Sequence, residues 1–94
     1  MENFRIIRVN ELLKRAISDY LHQNFTAEAV SITITQVKAT ADLKAADVYF
    51  SVFSPEEKKK SFEFLKKIRK AIQYRVAKMV RLKHMPQLFF VYKA

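Results

Sequence analysis

Apolar residues recur at helical intervals over residues 5 to 24. Ile6, Val9, Leu13, Ile17 and Tyr20 follow one another at steps of 3, 4, 4 and 3, with Leu12, Ala16 and Leu21 beside them. Arg5, Arg8, Glu11, Lys14, Arg15 and Asp19 fall at other angles. This spacing predicts an amphipathic helix. Asn24 is placed to end it in the left-handed conformation, and Leu12, Leu21 or Phe25 can close that end against the rest of the core.

The period then changes to two. In "VSITITQVK", residues 30 to 38, Val30, Ile32 and Ile34 point one way and Ser31, Thr33 and Thr35 the other, which predicts a half-buried strand. Val37 breaks the alternation, so a bulge or the strand end is expected near Gln36. "AADVYFSVF", residues 45 to 53, alternates again, with Ala46, Val48, Phe50 and Val52 on one face. "ATADLK" joins the two strands without an Asn-Gly or Asp-Gly pair, so the loop exceeds two residues. Asp42 is expected to organise that loop through its backbone.

A second helix is announced by "SPEE". Ser54 suits the N-cap, Pro55 the first helical position, and Glu57 the third position of a capping box. Phe62, Leu65, Ile68, Ile72, Val76 and Met79 then step by 3, 3, 4, 4 and 3 as far as about Val80. Pro86 closes the helical region, "KHMP" makes the turn, and "QLFFVY" reads as a third strand. The order is helix, strand, strand, long helix, strand. The last crossover requires parallel pairing and hence a mixed sheet, which the helices must cover. No linker or second domain is visible, and the 94 residues form one expected domain, 1–94.

Charge changes the picture of the long helix. The chain carries 18 Lys and Arg against 9 Asp and Glu, a net +9 that favours an anionic partner. Lys66, Lys67, Arg69, Lys70, Arg75, Lys78, Arg81 and Lys83 fall in a stretch with no acid. At about 100° per residue, Ile68, Ile72, Val76 and Met79 lie within about 60° of Leu65. Lys66, Lys67, Lys70, Lys78 and Arg81 lie opposite, with Arg69 and Arg75 at the margins. A solubilising surface would mix signs, because opposite charges one turn apart support each other. Here Lys66 and Lys70 repel with nothing to compensate after Glu63. An anion-binding face is therefore the better reading, with these eight cations as candidate RNA contacts. Tyr74 can stack on a base or pack beside lysine stems, and Gln73 can bond to a base edge. The "EEKKKS" run, Glu56 to Ser61, reads as a solvated face, and Arg5 and Arg8 can extend the positive surface.

What is missing narrows the chemistry. The chain has no glycine, which removes P-loops, dinucleotide fingerprints and the GXXG loop of ordinary KH domains. With no cysteine there is no disulfide or thiolate site, consistent with a reducing, cytoplasmic setting. His22 and His84 stand outside any metal-ligand spacing, so no metal and no cofactor is expected. His84 reads as a turn residue among bases. Asp42 and Asp47 lack an enclosed pocket, and Ser31, Ser51 and Ser61 lack a nucleophile's context, so an enzyme is not expected. No apolar run approaches the roughly 18 to 20 residues that span a bilayer, and "MENFRIIRVNELLKR" lacks a secretory signal's apolar segment. The basic face also lacks the large apolar residues of a membrane binder.

Taken together, "RVNELLKRAISDYL", "VSITITQVKATADLKAADVYFSVF" and "LKKIRKAIQYRVAKMVRLKHMPQLFFVY" resemble the ribosome-binding factor A family over nearly the whole chain. The best matches are "TADLKAADVYFSVF" and "RLKHMPQLFF". The resemblance implies a type II KH-like α+β fold, helix–strand–strand–helix–helix–strand, without a GXXG loop. It implies binding to the small (30S) ribosomal subunit and its 16S ribosomal RNA, and a role in late maturation and 5′-end processing that matters most in the cold. It brings no catalytic activity and no cofactor, and the free protein is expected to be a monomer. The alternative is a KH-like nucleic-acid-binding or protein-interaction module unrelated to ribosomes, using the sheet's open face and Phe53, Phe89 or Phe90. Two departures stand out. The family breaks its long helix at an Ala-x-Gly, where this chain has Ile68, Arg69 and Lys70, so a kink between Ile68 and Ala71 is in question. Many members continue in a polar tail, whereas this sequence stops at Ala94.

Overall fold

The computed structural model describes residues 4–93. Helix α1 spans Phe4–Asn24 and the short α2 spans Thr26–Ala29. Strands β1 (Ile32–Ala39) and β2 (Ala45–Val52) follow. A 3-10 turn, Pro55–Glu57, leads into α3 (Lys58–Val80), and β3 (Gln87–Tyr92) closes the fold. The sheet order is β1-β2-β3, with β1 antiparallel and β3 parallel to β2. This is the mixed three-stranded α+β sheet expected of a type II KH-like domain. Between β2 and β3, however, the helical segment is uninterrupted through Lys70.

The core follows the two periods. Val9, Leu13, Ala16, Ile17 and Leu21 of α1 meet Leu65, Ile72 and Val76 of α3 over Ile32, Ile34, Val48, Phe50 and Leu88 of the sheet. Phe50 on the central strand is fully buried, with Phe62 and Tyr92 rings 5.9 and 5.7 Å from its own. Burial of such a side chain stabilises by about 1.5–3 kcal/mol. The bulge falls where Val37 placed it: the β1–β2 register shifts between Ile34 and Gln36, which returns Val37 to the buried face.

The hairpin loop is built by Thr40 and Asp42. The Thr40 hydroxyl donates to Asp42 Oδ1 at 2.7 Å, and the Lys44 N–H donates to the same oxygen at 3.1 Å. The Thr40 hydroxyl first, and the Lys44 N–H second, hold the Asp42 carboxyl below its ordinary pKa. Leu43 takes a left-handed φ of 59° while its side chain packs against the core. Burial of Leu43 offsets a backbone cost of about 1–2 kcal/mol.

Four expectations are corrected. Val30 is 80% exposed, because α2 and a turn occupy the residues just before β1. Asn24 remains helical; its Nδ2 donates to the Tyr20 carbonyl at 2.9 Å, satisfying that acceptor from within the last turn. No capping box forms at Ser54: the Glu57 N–H donates to the Ser54 carbonyl at 2.9 Å in the 3-10 turn, leaving the side chains unused as caps. Met79 and Leu12, assigned to apolar faces, are half exposed; Leu12 lies on the flank of the α1 stripe, about 100° round from the buried Leu13.

α3 ends at Val80 as expected and "KHMP" lies in the turn that follows, but the residue that stops the helix is Arg81. It adopts φ 52°, ψ 42°, and its N–H donates to the Ala77 carbonyl at 3.3 Å. Glycine is the ordinary choice for this position, and the chain has none.

Candidate nucleic-acid interface

Polar side chains on the two long helices dress both outer strands. In β1, the Ala39 N–H donates to Asn10 Oδ1 at 2.9 Å, and the Ile32 carbonyl lies 3.0 Å from His22 Nε2. His22 must therefore carry a proton on Nε2. In its neutral form Nδ1 is left to face the Ser18 hydroxyl at 3.4 Å. In β3, Gln73 Nε2 donates to the Pro86 carbonyl at 2.9 Å and Gln73 Oε1 accepts from the Leu88 N–H at 3.2 Å. Arg69, one turn earlier, donates to the Leu88 carbonyl at 3.2 Å and stands 5.7 Å from the Phe89 ring. Unpaired strand edges invite association, and these bonds close part of each.

The same bonds fix how α3 is rolled. Leu65, Ile72 and Val76 face inward, so Lys66, Lys67, Lys70, Arg75 and Lys78 face solvent. Arg81 and Lys83 continue the row beyond the helix end, both exposed. Seven of the eight expected cations are thus exposed, in a stretch that holds no acid after Glu63. Arg69 departs from it, half-buried and committed to β3. Gln73, expected at a base edge, is likewise committed to backbone. Tyr74 is 60% exposed, and Lys78 Nζ sits 4.4 Å above its ring, a cation–π contact between neighbours one turn apart. Lys66 is similarly placed 5.5 Å from the Phe62 ring. Arg5 and Arg8 line a separate groove with Phe4, Ile7 and Glu11 at the start of α1. His84 lies exposed in the turn after α3.

Periodicity placed the row but missed the work of Arg69 and Gln73. For Arg69 there was an angular signal: at about 40° from Leu65 it sits nearer the apolar stripe than the basic face, whereas Gln73, at about 80°, lies beside Lys66 and gave none. Among the described residues no group of three His, Cys, Asp or Glu is arranged to hold a metal ion. No described helix is long and apolar enough to cross a membrane.

A sequence model of ribosome-binding factor A matches residues 5–94. The chain belongs to the ribosome-binding factor A family. The Opitutus terrae member is 34% identical over 93% of this chain and 72% of its own length. The Clostridium beijerinckii member is 38% identical over 94% and 78%. In fold, the chain is similar to the crystal structure of ribosome-binding factor A from Thermus thermophilus, with a TM-score of 0.82 at 22% identity, covering 93% of this chain and 94% of that one. It is also similar to a homology model of the Thermus thermophilus factor fitted into a cryo-EM map of a 30S complex, with a TM-score of 0.72 at 24% identity over 85% of this chain and 86% of that one. The resemblance read from "TADLKAADVYFSVF" and "RLKHMPQLFF" therefore holds across the chain.

Proposed function

We propose that the chain is a single ribosome-binding domain, residues 1–94, that acts on the small ribosomal subunit by binding its 16S ribosomal RNA. The observation that carries this reading is the acid-free row of exposed cations along α3 and its C-terminal turn. Lys66, Lys67, Lys70, Arg75, Lys78, Arg81 and Lys83 meet phosphates there. Arg69 holds the row in place through its bond to the Leu88 carbonyl. Phosphate contacts fix register and supply salt-dependent affinity. The protein works by occupancy rather than catalysis. Bound, it favours one arrangement of the RNA during late maturation and 5′-end processing, and it leaves when that arrangement is complete. The need for such help is greatest in the cold, when misfolded RNA rearranges slowly. The free protein is a cytoplasmic monomer.

Filter binding to 16S ribosomal RNA across a salt series tests this. With about five phosphates neutralised, log K falls against log salt with a slope of roughly −3.5, using the single-strand coefficient. A flat dependence overturns the assignment of the basic row. Co-sedimentation with small but not large subunits separates a ribosomal role from general nucleic-acid binding.

A further inference from the structure

Beside the basic row lies a cleft with a different chemical character. The last turn of α1 and the last two turns of α3 approach each other there, and Tyr20, Gln23, Asn24, Arg75, Lys78 and Met79 line it. Its volume is about 330 Å³, at the small end of the roughly 300–1,000 Å³ seen for ligand clefts. Two of the six lining residues are cations and none is an acid. By contrast, the cleft under the start of α3 sets Glu28 and Glu57 against Lys60.

The two amides add what the basic row lacks. Asn24 spends its Nδ2 on the Tyr20 carbonyl at 2.9 Å, which orients the group and leaves Oδ1 as an acceptor. Gln23 is exposed, and its amide is not used by any hydrogen bond that holds the fold. A donor–acceptor pair of this kind suits the edge of an unpaired base, which offers both donors and acceptors. Met79 is half exposed on the α3 wall, and the half-buried Tyr20 lines the α1 wall, its ring 5.8 Å from Phe25. Exposing Met79 contributes nothing to the core, but its thioether can cover the face of a planar group.

We propose that this cleft seats one unpaired nucleotide of the bound RNA. Arg75 and Lys78 take its phosphate, the Gln23 and Asn24 amides meet its base edge, and Met79 and Tyr20 enclose the ring. The proposal rests on the RNA-binding reading and deepens it, since Arg75 and Lys78 belong to both. A helical stretch of RNA slides along the row on phosphates alone; a nucleotide out of the helix gives the protein a fixed point on it.

Fluorescence anisotropy with two RNAs tests this: a blunt hairpin, and the same hairpin with a four-nucleotide mixed-sequence 3′ tail. Wild type is expected to bind the tailed RNA about fivefold tighter at the same salt. Gln23→Ala is expected to abolish that preference and leave blunt-hairpin affinity unchanged. Lys70→Gln, outside the cleft, is expected to weaken both RNAs and keep the preference. Equal wild-type binding to both RNAs, or a preference that survives Gln23→Ala, overturns the cleft assignment while the RNA-binding reading stands. Binding to neither RNA, nor to 16S ribosomal RNA, overturns both. Far-UV circular dichroism confirms that each variant is folded.

Discussion

Gln73 holds Leu88 by its backbone: the Leu88 N–H donates to Gln73 Oε1 at 3.2 Å, on the side of β3 that faces away from β2. Leu88 itself is fully buried, so that N–H has no water to turn to if the amide is removed. Gln73→Ala is expected to cost about 1–3 kcal/mol, read by urea denaturation. Hydrogen exchange at the Leu88 amide should accelerate in the same variant. An unchanged exchange rate would mean that the strand edge is protected by something else.

The hairpin loop carries its own pH dependence. The folded Asp42 pKa is lowered, so its contribution is present above the unfolded value of about 3.9. It is lost as the pH falls through the lower folded value. An NMR titration should place the Asp42 carboxyl midpoint below that of an ordinary aspartate. Asp42→Asn should remove this part of the acid response, and a midpoint at or above about 3.9 would contradict the assignment.

Arg81 sits in a conformation that suits another residue. Arg81→Gly should leave thermal stability equal to or above wild type, because it removes the left-handed penalty. Arg81→Val should lower it by about 1–2 kcal/mol, since a branched Cβ aggravates the same clash. Melts without RNA are the measurement. A stable valine variant would show that the turn does not depend on this backbone geometry.

Lys70 separates helix propensity from charge. Lys70→Gly should destabilise by about 1 kcal/mol relative to Lys70→Ala, the cost of glycine in an uninterrupted exposed helix. Both variants should flatten the salt dependence of RNA binding by the same amount, roughly 0.7 in slope for one phosphate contact. If the glycine variant binds 16S ribosomal RNA more tightly than the alanine variant, a bend at this position assists binding.

Most of the fold was legible because burial and period agree. The step pattern of α1 and the bulge at Gln36 follow from which positions must be apolar, and the parallel third strand from the helical crossover that joins it to β2. The failures share a cause: a polar side chain's partner is set by tertiary geometry. Nothing in the spacing of Asn10, His22 or Gln73 says that each will reach a strand backbone, and the angle of Arg69 places it beside the apolar stripe without naming its partner. The cap at Ser54 failed because a 3-10 turn met the same backbone groups with fewer atoms. The exposed row of the candidate interface was legible from charge and angle. The cleft beside it was not, since Gln23 and Arg75 lie 52 positions apart and come together only through the packing of α1 on α3.

The bonds from Arg69 and Gln73 to β3 have a kinetic meaning as well as a structural one. A helix of 23 residues is about 35 Å long, close to the 37 Å longest dimension of the molecule. Pinned along its middle, it cannot roll or slide to suit a ligand. The backbone positions from which its cations spring are therefore fixed before any encounter, and only the flexible lysine stems adjust. On the proposed reading, an RNA is met without a search through helix positions. One whose phosphates lie beyond the reach of those stems must itself change shape to be held.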